Sequence, residues 1–117
     1  MNVLDLLGEK DFIKIPKPLI IAIGIDGALA ITEIASGYNY WESCGQAEDG
    51  WVLPSVHDLE QRLHFDPQKQ IRLLGKLERI GILFVRRGKE YIRSRPQKRA
   101  LKINEDAIKN IFLWNKD

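Results

Sequence analysis

Apolar residues follow helical spacing in some segments and strand-like alternation in others, and the changes of spacing predict the elements of the first half. Segment 11–16 (DFIKIP) alternates apolar and polar residues and stops at Pro16, which is typical of an edge strand or an extended arm. A short helix is predicted from Pro18 to Gly24, and a second helix follows with Asp26 as its N-cap. The inward positions of the second helix are Leu29, Ile31, Ile34 and Ala35.

The middle of the chain predicts a loop, a short strand and a helix. The loop is segment 43–50 (SCGQAEDG), and the strand is 51–54 (WVLP). Ser55 with Asp58 three residues later is a variant of the capping box, which begins the helix. The helix ends near residue 63. Its inward positions are Val56, Leu59 and Leu63.

Only three residues (HFD, 64–66) separate this helix from the next one. Asp66 is a good N-cap, Pro67 suits the first helical turn, and Gly81 fits the left-handed position past the end. The pattern therefore predicts a helix over about 67–80. Its core face comprises Ile71, Leu73, Leu74, Leu77 and Ile80.

Strand-like runs dominate the segment that follows. Residues 82–85 (ILFV) precede a glycine turn at 86–90, and alternation resumes at 99–103 (RALKI). Asn104, followed by acidic residues, caps a last helix over 104–114. Two helices joined by a tight turn and followed by a β-hairpin give the order of a winged helix-turn-helix.

We therefore predict an α+β, mainly α fold of about five helices with a two- to three-stranded β-wing. The prediction is one winged-helix domain over 1–117, with an N-terminal arm at 1–11. The helix-turn-helix is expected at 55–80, the wing at 82–103 and the C-terminal helix at 104–114.

Composition agrees with one soluble globular domain. The chain has 117 residues, of which 44% are hydrophobic and 29% are charged. The most apolar run (PLIIAIGI) is shorter than the roughly 20 residues of a membrane span, and the acidic start lacks the basic region of a signal peptide. Cys44 is the single cysteine, which excludes an intrachain disulfide. We expect a cytoplasmic protein with no membrane association.

The formal net charge of +2 hides a strong asymmetry. Residues 1–65 contain four Lys or Arg against ten Asp or Glu, whereas residues 66–103 contain twelve Lys or Arg against three Asp or Glu. A basic segment of this density indicates an anionic partner, unless the charges only solvate the surface.

The helix predicted at 67–80 separates its basic residues from its apolar ones. On a helical wheel, four basic side chains fall within an arc of roughly 80°. Together with Gln68 in the first turn and the basic residues of the wing, they predict a surface for double-stranded DNA. The predicted DNA-binding residues are Gln68, Lys69, Arg72, Lys76, Arg79, Arg86, Arg87, Lys89, Arg93, Arg95, Lys98 and Arg99.

Catalytic and metal-binding patterns are weak. His57 and His64 lie seven residues apart with no paired cysteines, and neither glycine-containing loop matches a phosphate-binding motif. Cys44 has no evident histidine partner. We predict a protein that is not an enzyme and has no metal site and no cofactor.

The segment 50–87 (GWVLPSVHDLEQRLHFDPQKQIRLLGKLERIGILFVRR), followed by ALKINEDAI, resembles the winged-helix domains of phage and plasmid replication proteins, including replisome-organiser (DnaD-like) N-terminal domains. The shared landmarks are an aromatic-started strand, a tight interhelical turn and LERIGIL at the end of the recognition helix. FIKIPKPLI near the start resembles their opening segment. The resemblance implies DNA binding in replication initiation or organisation.

Two other functions fit the same sequence. A small transcriptional regulator would use the same helix and wing, whereas a winged-helix interaction module would bind a protein, such as a replication partner, through the acidic half from Asp26 to Glu60. The apolar ends MNVLDLL and IKNIFLWNK also predict a weak homodimer.

Overall fold

Helices dominate the part of the chain that the computed structural model describes, which is 13–87, 91–92, 95–96 and 99–114. At residues 87, 91–92 and 95–96 only the backbone is described. The four helices of these residues are α1 (Lys17–Ser43), α2 (Val56–Leu63), α3 (Pro67–Arg79) and α4 (Glu105–Trp114). The strands are β1 (Ala47–Glu48), β2 (Trp51–Val52), β3 (Leu83–Arg87), β4 (Tyr91–Ile92), β5 (Arg95–Pro96) and β6 (Arg99–Ile103). The predicted α+β, mainly helical class is confirmed.

The number of helices is lower than the predicted five because the two segments around Gly24 form one element. Gly24 adopts φ 83° and ψ 165°, so a single residue interrupts α1 and no loop separates the two segments. The interruption falls at the predicted end of the first segment, but Asp26 is itself helical and is not the N-cap of the segment that follows, which corrects that prediction. The chain enters α1 through Pro16, whose carbonyl oxygen accepts hydrogen bonds from the amides of the first turn.

Of the predicted arm or edge strand at 11–16, residues 13–16 are described and form neither helix nor strand. The predicted N-terminal arm at 1–11 lies outside the described residues.

The strands form a four-stranded antiparallel sheet in the order β1-β2-β6-β3, with a separate β4–β5 pair. β3 and β6 pair along their whole length, from Leu83 with Ile103 to Arg87 with Arg99. The sheet has more than the predicted two to three strands. β2 pairs with the edge of β6 opposite β3, and β1, which was predicted as loop, pairs with β2. Asp49 and Gly50 join β1 to β2 with φ values of 52° and 84°. Two positive φ angles in a two-residue hairpin loop are typical of a type I′ turn.

The local signals around α2 and α3 are confirmed in detail. The Ser55 hydroxyl accepts a hydrogen bond from the Asp58 amide at 3.0 Å, and the Asp58 carboxylate accepts one from the Ser55 amide at 3.2 Å. The Asp66 carboxylate accepts a hydrogen bond from the amide of Lys69 at 2.8 Å. Gly81 takes the expected left-handed conformation after α3, with φ 83°. The two helices therefore begin and end where their capping residues place them.

One apolar core joins α1 to the two short helices and the sheet. Its largest fully buried apolar side chains are Trp41, Leu59, Leu77, Leu83, Leu101 and Val52. Four predicted inward residues are instead exposed: Ala35, Val56 by 42%, Ile71 by 65% and Ile80 by 49%. Gln70, which the wheel did not assign to the core, is 1% exposed. The buried face of α3 is therefore rotated toward Gln70, Leu74 and Leu77, away from Ile71.

α1 is the described helix that is long and apolar enough to cross a membrane, with a mean hydropathy of 1.8 over its most apolar window. Core helices of soluble proteins pass the same test. Ala28, Ile31 and Ile34 on α1 are buried in the core, so this helix is weak evidence for a membrane.

Substitution by alanine should have opposite steric effects at two mid-helix glycines. A Cβ at Gly37 would lie 2.8 Å from Cζ3 of buried Trp41, whereas a Cβ at Gly75 would meet only the end of the Arg79 side chain, at 3.5 Å. Both substitutions gain about 1 kcal/mol of helix propensity. We expect Gly75→Ala to be stabilising and Gly37→Ala to be less stable than Gly75→Ala by about 1–3 kcal/mol, because the indole must move. Urea denaturation followed by circular dichroism measures both, and equal changes would contradict the packing described for Trp41.

Candidate nucleic-acid interface

The exposed face of α3 carries four of the five DNA-binding residues predicted on this helix. These four exposed residues are Gln68, Arg72, Lys76 and Arg79. Their spacing of three or four residues places them on one side of the helix, opposite buried Leu74 and Leu77. We call these four residues the α3 basic face. Because the side chains project from a helix anchored in the core, their positions relative to one another are fixed by the backbone.

Lys69, the fifth predicted residue of this helix, lies against other parts of the chain. Its ammonium group is 3.2 Å from the Asp26 carboxylate and 4.1 Å from the centre of the Phe65 ring. Lys69 therefore connects α3 to α1, and its charge already has a partner. The structure brings Lys69 next to the α3 basic face but not into it.

The buried Gln70 side chain fixes the packing of the two short helices. Its Nε2 donates hydrogen bonds of 3.0 Å to the backbone oxygens of Val56 in α2 and Phe65 in the connection. Its Oε1 has no hydrogen-bond partner among the described residues. Sequence reasoning missed this residue because a polar side chain on an amphipathic helix is normally assigned to the solvent side.

A second group of basic side chains lies on the outward face of the sheet. Arg86 stacks over the Trp51 ring with its guanidinium carbon 4.1 Å from the ring centre, and Lys102 lies 6.0 Å from the same ring. Both separations are within the range of cation–π contact. Phe84, opposite Lys102 in the β3–β6 pair, is 47% exposed. Trp51 and Lys102 were missed because cross-strand pairing, and not sequence spacing, brings them to Arg86.

The remaining predicted residues belong to the predicted wing. The backbones of Arg87 and Arg99 pair at the end of β3 and β6, and Arg99 is half-buried. Arg95 lies in β5 and pairs with Ile92. Lys89, Arg93 and Lys98 fall outside the described residues, so their assignment to the interface stays a prediction.

Arg62 and Cys44 lie outside the predicted DNA-binding set and contact residues of α1. Arg62 forms an ion pair with Glu33 at 3.4 Å and lies over the Tyr40 and Trp41 rings. Cys44 is exposed at the C-terminus of α1, and hydrogen bonding with its side chain raises the pKa of Tyr40. No group of three or more potential metal ligands occurs among the residues that the structure describes.

Comparison with solved structures shows the fold. A structure described as "N-Terminal domain of DNA binding protein" superposes with a TM-score of 0.60 at 17% sequence identity, covering 100% of this chain and 95% of that one. A structure described as "Structure of Rep-DNA complex" gives a TM-score of 0.60 at 18% identity, covering 100% of this chain and 96% of that one. No protein-family model matches the sequence, and no curated protein matches it. The chain therefore shares its fold along its whole length with these two domains.

Gln70 provides a test of how the interface is positioned. Gln70→Met keeps a side chain of similar length but removes both hydrogen bonds to the backbone oxygens of Val56 and Phe65. We expect the free energy of unfolding to fall by about 1–3 kcal/mol, because two buried hydrogen bonds are removed. Gln68→Met, two residues earlier on the exposed face, is the control and should change stability by less than about 0.5 kcal/mol. Equal stability of the two variants in urea denaturation would show that the amide does not hold the helices.

Proposed function

We propose that this chain is a non-enzymatic DNA-binding protein with a winged helix-turn-helix, in which α3 is the recognition helix and the β3–β6 hairpin with the segment between its strands is the wing. The observation that carries the proposal is the α3 basic face. Three exposed cations and one exposed amide lie on a single side of a short helix, and the opposite side is buried in the core.

The physical dimensions and chemistry of this face suit duplex DNA. An α-helix fits the major groove, where side chains from its first turns reach base edges. Gln68 and Arg72 occupy those turns, and their amide and guanidinium groups can form paired hydrogen bonds with adenine and guanine. Lys76 and Arg79 lie nearer the C-terminal end and suit contacts with phosphates. The basic residues of the wing would add contacts with the sugar-phosphate backbone, which carry little sequence information.

The structural comparisons support the same proposal at a coarser level. One similar domain belongs to a DNA-binding protein, and the other was solved as a Rep–DNA complex. The sequence resemblance to phage and plasmid replication proteins points to the same process. We therefore propose a cytoplasmic role in replication initiation or organisation of a phage or another mobile element, with small transcriptional regulation as the alternative.

Fluorescence anisotropy with a labelled duplex tests the proposal directly. The chain should bind at 50 mM salt and bind far more weakly at 200 mM, because phosphate contacts release counterions. Binding that survives scrambling of the duplex sequence favours an organiser over a site-specific regulator. Absence of binding at 50 mM salt would overturn DNA binding and leave a protein-interaction module as the better hypothesis.

The helix and the wing should respond differently to substitution. Arg72→Ala should weaken binding to a preferred site by about 1–3 kcal/mol and to random duplex by less, because a fixed helical side chain reads a base. The double substitution Arg87→Ala and Lys89→Ala should weaken both duplexes alike and make the salt slope shallower by about one unit for each phosphate that is no longer neutralised. Lys109→Ala, an exposed lysine on α4, is the matched control and should leave both affinities unchanged. Folded Arg72 and wing variants that bind like the wild type would show that these charges only solvate the surface.

We also propose the weak homodimer that the sequence predicts, through the end of α4. Phe112, Leu113 and Trp114 are exposed by 40%, 67% and 87%, so three consecutive large apolar side chains face solvent. We expect Leu113→Ser to shift sedimentation at high protein concentration toward the monomer without changing the circular dichroism spectrum. Wild-type protein that sediments as a monomer at every concentration would exclude the dimer.

A further inference from the structure

Two neighbouring residues of α3 are placed against their ordinary preference. Gln70 is 1% exposed, whereas Ile71 is 65% exposed. An amphipathic helix that served only to pack the core would gain by placing the isoleucine inside and the glutamine outside. The two hydrogen bonds of Gln70 explain why the glutamine is inside. They do not explain why the position facing solvent is occupied by a branched apolar residue.

The neighbours of Ile71 on α3 distinguish it from an isolated exposed isoleucine. Gln68 precedes it by three residues and Gly75 follows it by four, so both are its neighbours on the surface of α3, and Ile71 borders the α3 basic face on the side of Gln68. Gly75 has no Cβ, and the nearest atom to the position of a Cβ there is Nη1 of Arg79, at 3.5 Å. The surface beside Ile71 is therefore low, and no backbone of the described residues covers it.

Among the base edges in the major groove, thymine alone presents a methyl group, and apolar side chains are what recognise it. We infer that Ile71 is a specificity-determining residue that contacts the 5-methyl group of a thymine, an inference that rests on the proposed DNA binding. Gln68 is the hydrogen-bonding side chain next to the isoleucine on the helix surface, and Arg72 lies beyond Gln68. Gly75 lets the helix come close enough to the base edges for a short apolar side chain to reach them.

The experiment removes the methyl group from the DNA and the isoleucine from the protein, separately and together. A preferred duplex is first selected from a random pool with the wild-type chain, and each thymine in it is then replaced by deoxyuridine. We expect one replacement to weaken wild-type binding about fourfold, which corresponds to leaving one methyl group in water. Ile71→Ser should bind the original duplex more weakly and should show no further weakening at that thymine. Ile71→Val should retain the sensitivity because it keeps a branched apolar side chain.

Ile21→Ser is the matched control, since Ile21 is 74% exposed on α1, outside α3. This variant should show the wild-type deoxyuridine pattern, and circular dichroism should show all three variants folded because neither isoleucine is buried. The inference is overturned if the wild-type chain binds duplex but the loss of any thymine methyl group leaves its affinity unchanged. It is also overturned if a sensitive thymine stays equally sensitive in Ile71→Ser. Either result leaves the proposed function intact. Failure of the wild-type chain to bind any duplex instead overturns the proposed function itself.

Discussion

The hydrogen bonds of the buried Gln70 amide hold α2 and α3 in one arrangement, and the direction of every exposed side chain on α3 depends on that arrangement. Nε2 reaches two backbone oxygens, one at the start of α2 and one in the three-residue connection. Apolar contacts alone tolerate small rotations of a helix, whereas two hydrogen bonds from one rigid amide do not. Rotation of α3 by one residue would bury Ile71 and turn the α3 basic face away from its present direction. The polar core residue therefore determines which face the helix presents.

The sequence was sufficient for the features that depend on neighbouring residues. Ser55 with Asp58, and Asp66 with Pro67, place the starts of α2 and α3 because a cap needs only the amides of the next turn. Gly81 marks the end of α3 for the same reason. The pair Asp49–Gly50 carried an equally local hairpin signal, which was overlooked because the surrounding segment was interpreted as a loop. β1 could therefore have been predicted.

Features that depend on distant residues could not be predicted in this way. A helical wheel gives the angular position of each residue, and the core face is then chosen by polarity. That choice placed Ile71 in the core and left Gln70 out of it. Reversing that assignment requires knowing that two backbone oxygens lie within reach of the amide, which is a property of the folded chain. The stack of Arg86 over Trp51 likewise requires the order β2-β6-β3, in which residues far apart in the sequence share one face of the sheet. The wing was predicted from one hairpin, although β6 pairs on both edges.

The ion pairs and hydrogen bonds within the chain also change the interpretation of the charge asymmetry. Acidic residues of the first half that count toward a negative surface include Asp26, Glu33 and Asp58, and each is engaged within the chain, by Lys69, Arg62 and the cap of α2. The acidic half is therefore a less open docking surface than its composition indicates, which weakens the interaction-module hypothesis. The ion pair with Asp26 also gives Lys69 a partner within the chain, so its charge is less available than those of the α3 basic face. The set of exposed predicted residues on α3 is therefore smaller than the sequence predicts. It consists of Arg72, Lys76 and Arg79 beside Gln68, on a helix whose other side is buried in the core.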